Sequence, residues 1–381
     1  MVEVYLNSDL LALVITFLQI KGLFVGCILA PMFDLSELAA NLRALYHIDR
    51  TFCVLVAPVA SGKTKLCESL IGDLDMPWKR VLFVSPLRAL GEEVWKKWSA
   101  ACKQYPQWHL VDLLNGNKSK NILEFQQSSK FCVGVCMAET ISKFSDFDEK
   151  TLIIWDEWHL CFHWEHFRPH LLEQFMALCA SGVSILALSA TINEELTGPT
   201  VKGLETNYEQ CFQLDLGNYQ FRFAPSQTMY FPLPLFPSNF FRKLLQRHLI
   251  LHAKKKGNQL IFVKRRHEVD QWLEWCARQK IQAIGCVGGA VPQFLAALDG
   301  YDQQRPLVII ATSVLGHGVN LPSIQSIYLL DASLEKELWV QMVGRGGRDG
   351  RPYELWTQSL PLSSFRMKLK QFFMTLWRIF Y

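Results

Sequence analysis

From Phe52 onward, short apolar runs rich in β-branched residues alternate with stretches whose apolar positions recur at helical spacing. The clearest runs are Phe52–Ala57, Val81–Ser85, Phe131–Cys136, Leu152–Trp155 and Ser184–Leu188. That alternation predicts βαβ units around a parallel sheet. Proline then clusters in Ala224–Pro237 (APSQTMYFPLPLFP), which breaks helix and central strand alike. A second alternating series follows, with runs at Gln259–Val263, Ile281–Val287, Leu307–Ala311 and Ser326–Leu330. The pattern predicts two α/β domains with mostly parallel sheets, at residues 46–224 and 241–364, joined by a Pro-rich linker at 225–240. Ahead of them lies an apolar N-terminal segment, 1–45, and behind them a C-terminal segment, 365–381. In the latter, Phe365, Leu369, Phe372, Phe373, Leu376 and Phe380 share one helical face, with Arg366, Lys368, Lys370 and Arg378 among them. An amphipathic helix docked on the second domain is expected there. No repeat of solenoid period and no low-complexity tract interrupts the chain.

Composition narrows the class. The 381 residues suffice for two domains, and 50% hydrophobic with 19% charged residues describes a folded globular chain. Net charge is +4, from 39 basic and 35 acidic residues, so any site for a polyanion must be a local patch. The 11 cysteines are scattered singly. Cys132 and Cys136 are the closest pair, but no second pair follows at zinc-finger distance, which points to buried thiols in a reducing cytoplasm. Leu10–Ala30 is almost uniformly apolar and long enough to span a bilayer. Yet Glu3 and Asp9 precede it where a signal peptide carries Lys or Arg, and Lys21 falls mid-stretch, where a charge is costly. A buried N-terminal helix is expected, or residues upstream of the true start with Met32 as an alternative initiator. A membrane span is disfavoured.

The chemistry begins after the first run. Ala57-Pro-Val-Ala-Ser61-Gly62-Lys63-Thr64 leads into an apolar-periodic helix start, and matches the phosphate-binding loop pattern with Ala57 in place of its first glycine. Backbone N–H groups of the turn, in which Ala57 and Ser61 stand, and of the helix start would face phosphate oxygens. Gly62 permits close approach, Lys63 reaches the β- and γ-phosphates, and the Thr64 hydroxyl is a magnesium ligand. Some ninety residues on, the run ending at Trp155 delivers Asp156-Glu157-Trp158-His159 at a strand's C-terminal end, where α/β sheets place ligand sites. Asp156 is expected to hold magnesium and Glu157 to polarise the water attacking the γ-phosphate. His159 is expected to contact the γ-phosphate region or to relay its state. His163 and His166 follow at helical spacing, but Glu165 and the aromatics between them suit a partly exposed helix better than a metal site.

With both motifs placed, the chain resembles the superfamily 2 helicases of DExH type over residues 50–350. The remaining family motifs stand in family order. Ser85-Pro86-Leu-Arg88-Ala-Leu resembles the motif that holds the nucleic-acid backbone, which makes Pro86 and Arg88 contacts for the strand. Ser189-Ala-Thr191 resembles the motif that couples ATP state to the strand track, together with His159. Ile261-Phe-Val-Lys264-Arg265-Arg266 looks like the first motif of the second lobe. Ala311-Thr312-Ser313 with Gly316-His-Gly318-Val-Asn320 is similar to the family's fifth motif, in which Thr312 meets strand phosphate and Gly318 and Asn320 face the nucleotide. Gln341-Met-Val-Gly-Arg345-Gly-Gly-Arg348 fits the QxxGRxxR signature, with Gln341 facing the nucleotide and both arginines acting as fingers. An arginine placed across the cleft stabilises charge on the transferring phosphoryl and makes hydrolysis depend on lobe closure.

The resemblance implies two tandem RecA-like, P-loop NTPase domains with ATP and Mg2+ bound in the cleft between them. It also implies a motor moving along or unwinding single-stranded or partly duplex DNA or RNA. PLRAL and ATSVLGHGVNLP are most like the Ski-like branch. Several departures stand out. Relatives often show Thr-Pro-Glu-Thr where this chain has Met137-Ala-Glu139-Thr140, which leaves Thr140 and loses a hydroxyl at Met137. No glutamine-based adenine-reading motif precedes the phosphate loop, and Trp158 is bulky for its place. The winged-helix and ratchet domains of Ski-like enzymes do not fit after the arginine motif, so a protein partner supplying them is expected. Two rival readings remain: a partner-dependent nucleic-acid-binding switch without unwinding of its own, and a membrane-associated DNA-uptake ATPase.

Overall fold

The computed structural model describes residues 38–40, 42, 46, 50–72, 78–116, 118–144, 146–165, 168–204, 207–232, 238–252, 257–316, 319–331, 333–360, 368 and 372–375. The apolar stretch Leu10–Ala30, His166, Gly318 and most of the 365–381 segment lie outside them. Among the described residues, no helix is long and apolar enough to cross a membrane. The chain divides into two units, Met1–Gln220 and Phe221–Tyr381.

In the first unit, seven strands form one sheet: β1 (Thr51–Val56), β2 (Arg80–Ser85), β3 (His109–Asp112), β4 (Cys132–Met137), β5 (Thr151–Trp155), β6 (Ser184–Ser189) and β7 (Gln210–Asp215). Their order is β3-β4-β2-β5-β6-β1-β7, with every pairing parallel. Parallel neighbours need crossovers, and these are α1 (Lys63–Ile71), α2 (Arg88–Ala101), α3 (Lys118–Gln127), α4 (Leu160–His163), α5 (His170–Ser181) and α6 (Glu194–Leu204). The sheet is apolar on both faces because alternate residues of its strands enter different cores. Phe52, Val54, Val56, Ile153, Trp155, Ile185 and Ala187 pack on one side. Cys53, Leu55, Leu152, Ile154, Leu186 and Leu188 pack on the other. This is why the strands read as continuous apolar runs.

The second unit repeats the plan. It holds β8 (Gln227–Tyr230), α7 (Ser238–His252), β9 (Asn258–Phe262), α8 (Arg266–Arg278), β10 (Ala283–Cys286), α9 (Val291–Asp299), β11 (Val308–Ala311), β12 (Ile324–Leu329), α10 (Lys336–Val343) and β13 (Glu354–Thr357). The sheet order is β10-β11-β9-β12-β13-β8, again parallel throughout.

Every apolar run expected to form a strand does so, within two residues at its ends. Four strands were not foreseen: β3, β7, β8 and β13. Three of them are sheet edges, where one side of the strand is unpaired and short polar sequences such as Gln227–Tyr230 (QTMY) are tolerated. The segment read as a linker at 225–240 therefore differs in the structure, since it contributes β8 and the start of α7 to the second unit. Its prolines flank an edge strand and so remove no ladder bond. Thr375, in the C-terminal segment, accepts a hydrogen bond at its hydroxyl from the Tyr230 amide, 2.8 Å away on that edge.

Candidate active site

All the motif residues of the first unit stand at the C-terminal ends of its strands, and β6 holds two of the loops together. The Ala57 amide, just past β1, donates to the Ser189 carbonyl at 2.9 Å. On the other side of β6, the Trp158 amide donates to the Leu188 carbonyl at 3.1 Å. One strand end thus braces both the phosphate loop and the carboxylate turn.

The loop after β1 turns through two left-handed residues, Ala60 (φ 63°) and Gly62 (φ 92°). Ala57 is not in that region, so alanine can stand where the pattern has glycine without strain. Gly62 caps α1 with no side-chain hydrogen bond to the helix, which leaves the first-turn amides to an anion. The Lys63 Nζ donates to the Ala57 carbonyl at 3.3 Å, folded back over the loop. Ser61 is buried, and its hydroxyl has no hydrogen-bond partner.

Asp156 follows β5 and is 8% exposed. Its Oδ1 accepts the Glu157 amide at 3.0 Å, which sets a turn that places Glu157 at φ 46°. Burial and the adjacent Glu157 carboxylate push the Asp156 carboxyl up, against the pull of Lys63. A buried carboxylate beside the part-buried Glu157 calls for a cation. Trp158 does not crowd the site. It is fully buried and packs edge-on to Phe52 and Phe162, with Phe175 beside it, so its bulk fills the core instead.

His159 is 1% exposed, and burial, His163 and Lys63 hold its pKa well below the ordinary value. The Ser189 hydroxyl lies 2.8 Å from its Nδ1 and 2.6 Å from the Thr191 carbonyl, and also accepts the Thr191 amide at 3.1 Å. The carbonyl can only accept, so the hydroxyl proton points to it. The neutral imidazole therefore donates from Nδ1, and its Nε2 is an acceptor. The Glu157 Oε2 is 3.5 Å from the same Nδ1. His159, Ser189 and Thr191, expected to couple, are thus joined through one hydroxyl.

Of the residues expected to meet a nucleic-acid strand, those of the first unit are gathered at the ends of β2 and β4, which are neighbours. Arg88 is exposed at the start of α2, bonded to Glu92 at 2.8 Å and to the Asn115 Oδ1 at 2.5 Å. Pro86 and Thr140 are both buried. The Thr140 side chain packs inward in the short turn Ala138–Lys143, and Glu139 is the exposed residue beside it. Motif reading missed two residues here. Arg168 donates to the Pro86 carbonyl at 2.8 Å, pairs with Glu139, and lies over the Trp164 ring. Asn115 belongs to a turn closed by Asp112, whose Oδ1 accepts the Leu114 and Asn115 amides. The Asp112-x-x-Asn115-Gly116 spacing was the available turn signal. Arg168 left none, because its partners lie 82 and 29 residues away.

In the second unit, Thr312 ends β11, with its amide on the Cys286 carbonyl at 3.2 Å. Asn320 is exposed, and Gln341 is buried on α10. The two arginines differ. Arg348 is exposed, whereas Arg345 is 3% exposed and donates to the Val319 carbonyl at 2.7 Å. In this ligand-free structure the Arg345 Nη1 is thus held on main chain. The cysteines Cys132 and Cys136 point into one core from β4.

The nucleotide fits these residues. An uncapped helix start, a folded-back lysine, an unpartnered buried hydroxyl and a buried Asp156 beside Glu157 are what a phosphate chain with a divalent cation would satisfy. The comparisons agree. The chain matches the DEAD/DEAH box helicase family over residues 41–197 and the helicase conserved C-terminal domain over residues 241–350. The ATP-dependent DNA helicase RecQ of Synechocystis sp. is 25% identical over 86% of this chain and 69% of its own length. The RecQ-like DNA helicase BLM of Xenopus laevis is 23% identical over 78% of this chain but 22% of its own. In fold, the chain is similar to S. cerevisiae Dbp5 bound to RNA and ADP BeF3, with a TM-score of 0.65 at 15% identity, over 91% of this chain and 86% of that one. Both units are RecA-like in architecture, and the chain belongs to the superfamily 2 helicases, with a DEAD/DEAH box domain followed by a helicase C-terminal domain.

Proposed function

We propose that the protein is a magnesium-dependent ATPase that grips single-stranded nucleic acid and moves along it or opens short duplexes. The observation that carries this reading is the bracket formed by β6, whose end bonds Ala57 of the phosphate loop on one side and Trp158 of the carboxylate turn on the other. Lys63 leaves the Ala57 carbonyl for the β- and γ-phosphates, and the α1 amides hold the remaining oxygens. Thr64 and Asp156 would hold magnesium, which when bound would neutralise charge on the phosphate chain. Glu157 orients and deprotonates the attacking water. His159, joined to Thr191 through Ser189, carries the γ-phosphate state toward the next loop. Gln341, Arg345 and Arg348 are the residues of the second unit that serve the same step.

Arg88 and Thr312 hold the strand by its phosphates, with Arg168 fixing the Pro86 and Glu139 loops beside Arg88. Thr140 contributes through its backbone, since its side chain is buried. Backbone gripping gives weak sequence preference and salt-sensitive binding. The two curated relatives are DNA helicases by name, while the solved neighbour was bound to RNA. The reading therefore takes either polymer as the track. The Ski-like assignment rests on its two short strings alone.

The test is ATP hydrolysis with Mg2+, with and without single-stranded DNA or RNA, beside Glu157→Gln. Turnover stimulated by one polymer is expected, and the variant should lower it about 10²–10⁴-fold. Absence of turnover with either polymer sinks the reading in favour of a partner-dependent switch.

A further inference from the structure

The turn that ends the first unit, Asp215–Gln220, belongs to none of the motifs read from the sequence, yet it bonds to two of the site's loops at once. Asp215 sets its shape, since its Oδ1 accepts the Gly217 and Asn218 amides, each at 2.8 Å. Asn218 then grips the loop after β6 with both ends of its side-chain amide. Its Oδ1 accepts the Ile192 amide at 2.9 Å, and its Nδ2 donates to the Ile192 carbonyl at 3.0 Å. The Tyr219 amide donates to the Ala190 carbonyl at 3.3 Å, with Tyr219 at φ 60°. A bulky residue in the left-handed region is costly and persists only where its surroundings impose it. On the other side, the Val59 amide of the phosphate loop donates to the Gln220 carbonyl at 3.1 Å. Gly217 (φ 139°) passes so close to Pro58 that a Cβ there would lie 2.9 Å from its ring. The Ser189–Ile192 loop is thereby held from two directions: Ser189 ties it to His159, and Asn218 and Tyr219 tie it to the turn that also meets the phosphate loop. Gln220 is also where the chain leaves the first unit for the second.

We propose that Asn218 is a positioning residue that latches the Ser189–Ile192 loop to the phosphate loop through the Asp215–Gln220 turn, so that stimulation of ATP turnover by a nucleic-acid strand depends on it. Two bonds to one residue's main chain fix that residue in orientation as well as in place, which a single bond would not do. The latch itself stands on the ligand-free bonds. Its consequence for turnover rests on the reading of the protein as a strand-stimulated ATPase.

The experiment compares the full chain with Asn218→Ala and Asn218→Asp in two measurements. ATP turnover with Mg2+ is titrated with single-stranded DNA and with RNA, and amide hydrogen exchange is followed without ligand in peptides covering residues 189–193. Asn218→Ala removes both bonds to Ile192. Asn218→Asp keeps an acceptor for the Ile192 amide but sets an oxygen against the Ile192 carbonyl. Both variants should lower the strand-stimulated kcat about tenfold while the KM for ATP stays within about twofold. Asn218→Ala should speed exchange in those peptides on the order of tenfold, and Asn218→Asp by less. Stimulated turnover at the wild-type level in either folded variant overturns the proposal. So does a loss in which kcat falls and the KM for ATP rises together, as general damage to the nucleotide site would produce. If Asn218→Ala fails to melt cooperatively, the turnover of Asn218→Asp decides. A wild-type protein that neither polymer stimulates refutes the ATPase reading, and exchange then decides the latch alone, with wild-type rates in Asn218→Ala refuting it.

Discussion

At the scale of single residues, the site depends on groups whose state is set by burial more than by their chemical type. His159 is the clearest case. Burial, His163 and Lys63 hold it neutral, while the unfolded chain takes up a proton near the ordinary value of about 6.5. A base with a depressed folded pKa has no effect on stability above that pH. Below it the unfolded state binds the extra proton, so stability falls as pH falls, by at most about 1.4 kcal/mol per unit. His159→Gln should flatten the fall in melting temperature between pH 7 and pH 5.5, and an unchanged slope would mean the imidazole is not neutral in the fold. Arg88 is exposed at the start of α2, where the proposed grip on the strand acts through its charge. Arg88→Ala should weaken strand binding across sequences alike and reduce the salt slope by about 1, read from binding titrations at several salt concentrations. A loss confined to one base composition would argue for base reading instead.

At the scale of elements, close packing decides which residues are admitted. Gly346 follows α10, and a Cβ there would lie 2.2 Å from the Tyr353 ring. That ring is 1% exposed, and its hydroxyl donates to the Val343 carbonyl at 3.0 Å. It cannot swing away without losing the bond. Gly346→Ala should therefore destabilise the protein by about 1–3 kcal/mol, seen as a lower denaturation midpoint, and a wild-type midpoint would show that the ring can move. The glycine reads in sequence as one letter of the arginine motif, yet its stated duty here is to let Tyr353 pass under the segment that carries Arg345 and Arg348. Trp158 teaches the same lesson from the other side. It stands between two site residues, but Trp158→Ala should act as a core deletion costing about 3–5 kcal/mol.

At the scale of the whole molecule, two parallel sheets each carry their own cores, with the described clusters drawn from residues 38–216 and 229–356. Residues 38–220 and 221–381, expressed apart, should each unfold cooperatively, with nucleotide binding confined to the first and turnover requiring both. Much of this was legible in the sequence. Continuous apolar runs named the central strands because a parallel sheet buried on both faces leaves no polar side to alternate with. The phosphate loop, the acidic pair and the arginine motif were legible because their chemistry needs fixed residue types at fixed spacing along one turn. What stayed hidden depends on distant partners. Edge strands such as β8 carry too few apolar residues to show themselves. The Arg168 link between Pro86 and Glu139 and the inward turn of Thr140 arise only once β2 and β4 lie side by side. Arg345 and Arg348 are equivalent letters in one motif, and the Val319 carbonyl, brought to one of them by folding, separates their surroundings. Local sequence determined which groups exist and roughly where each strand ends. Tertiary packing determined which of them are buried, which are held on main chain, and which remain to face a ligand.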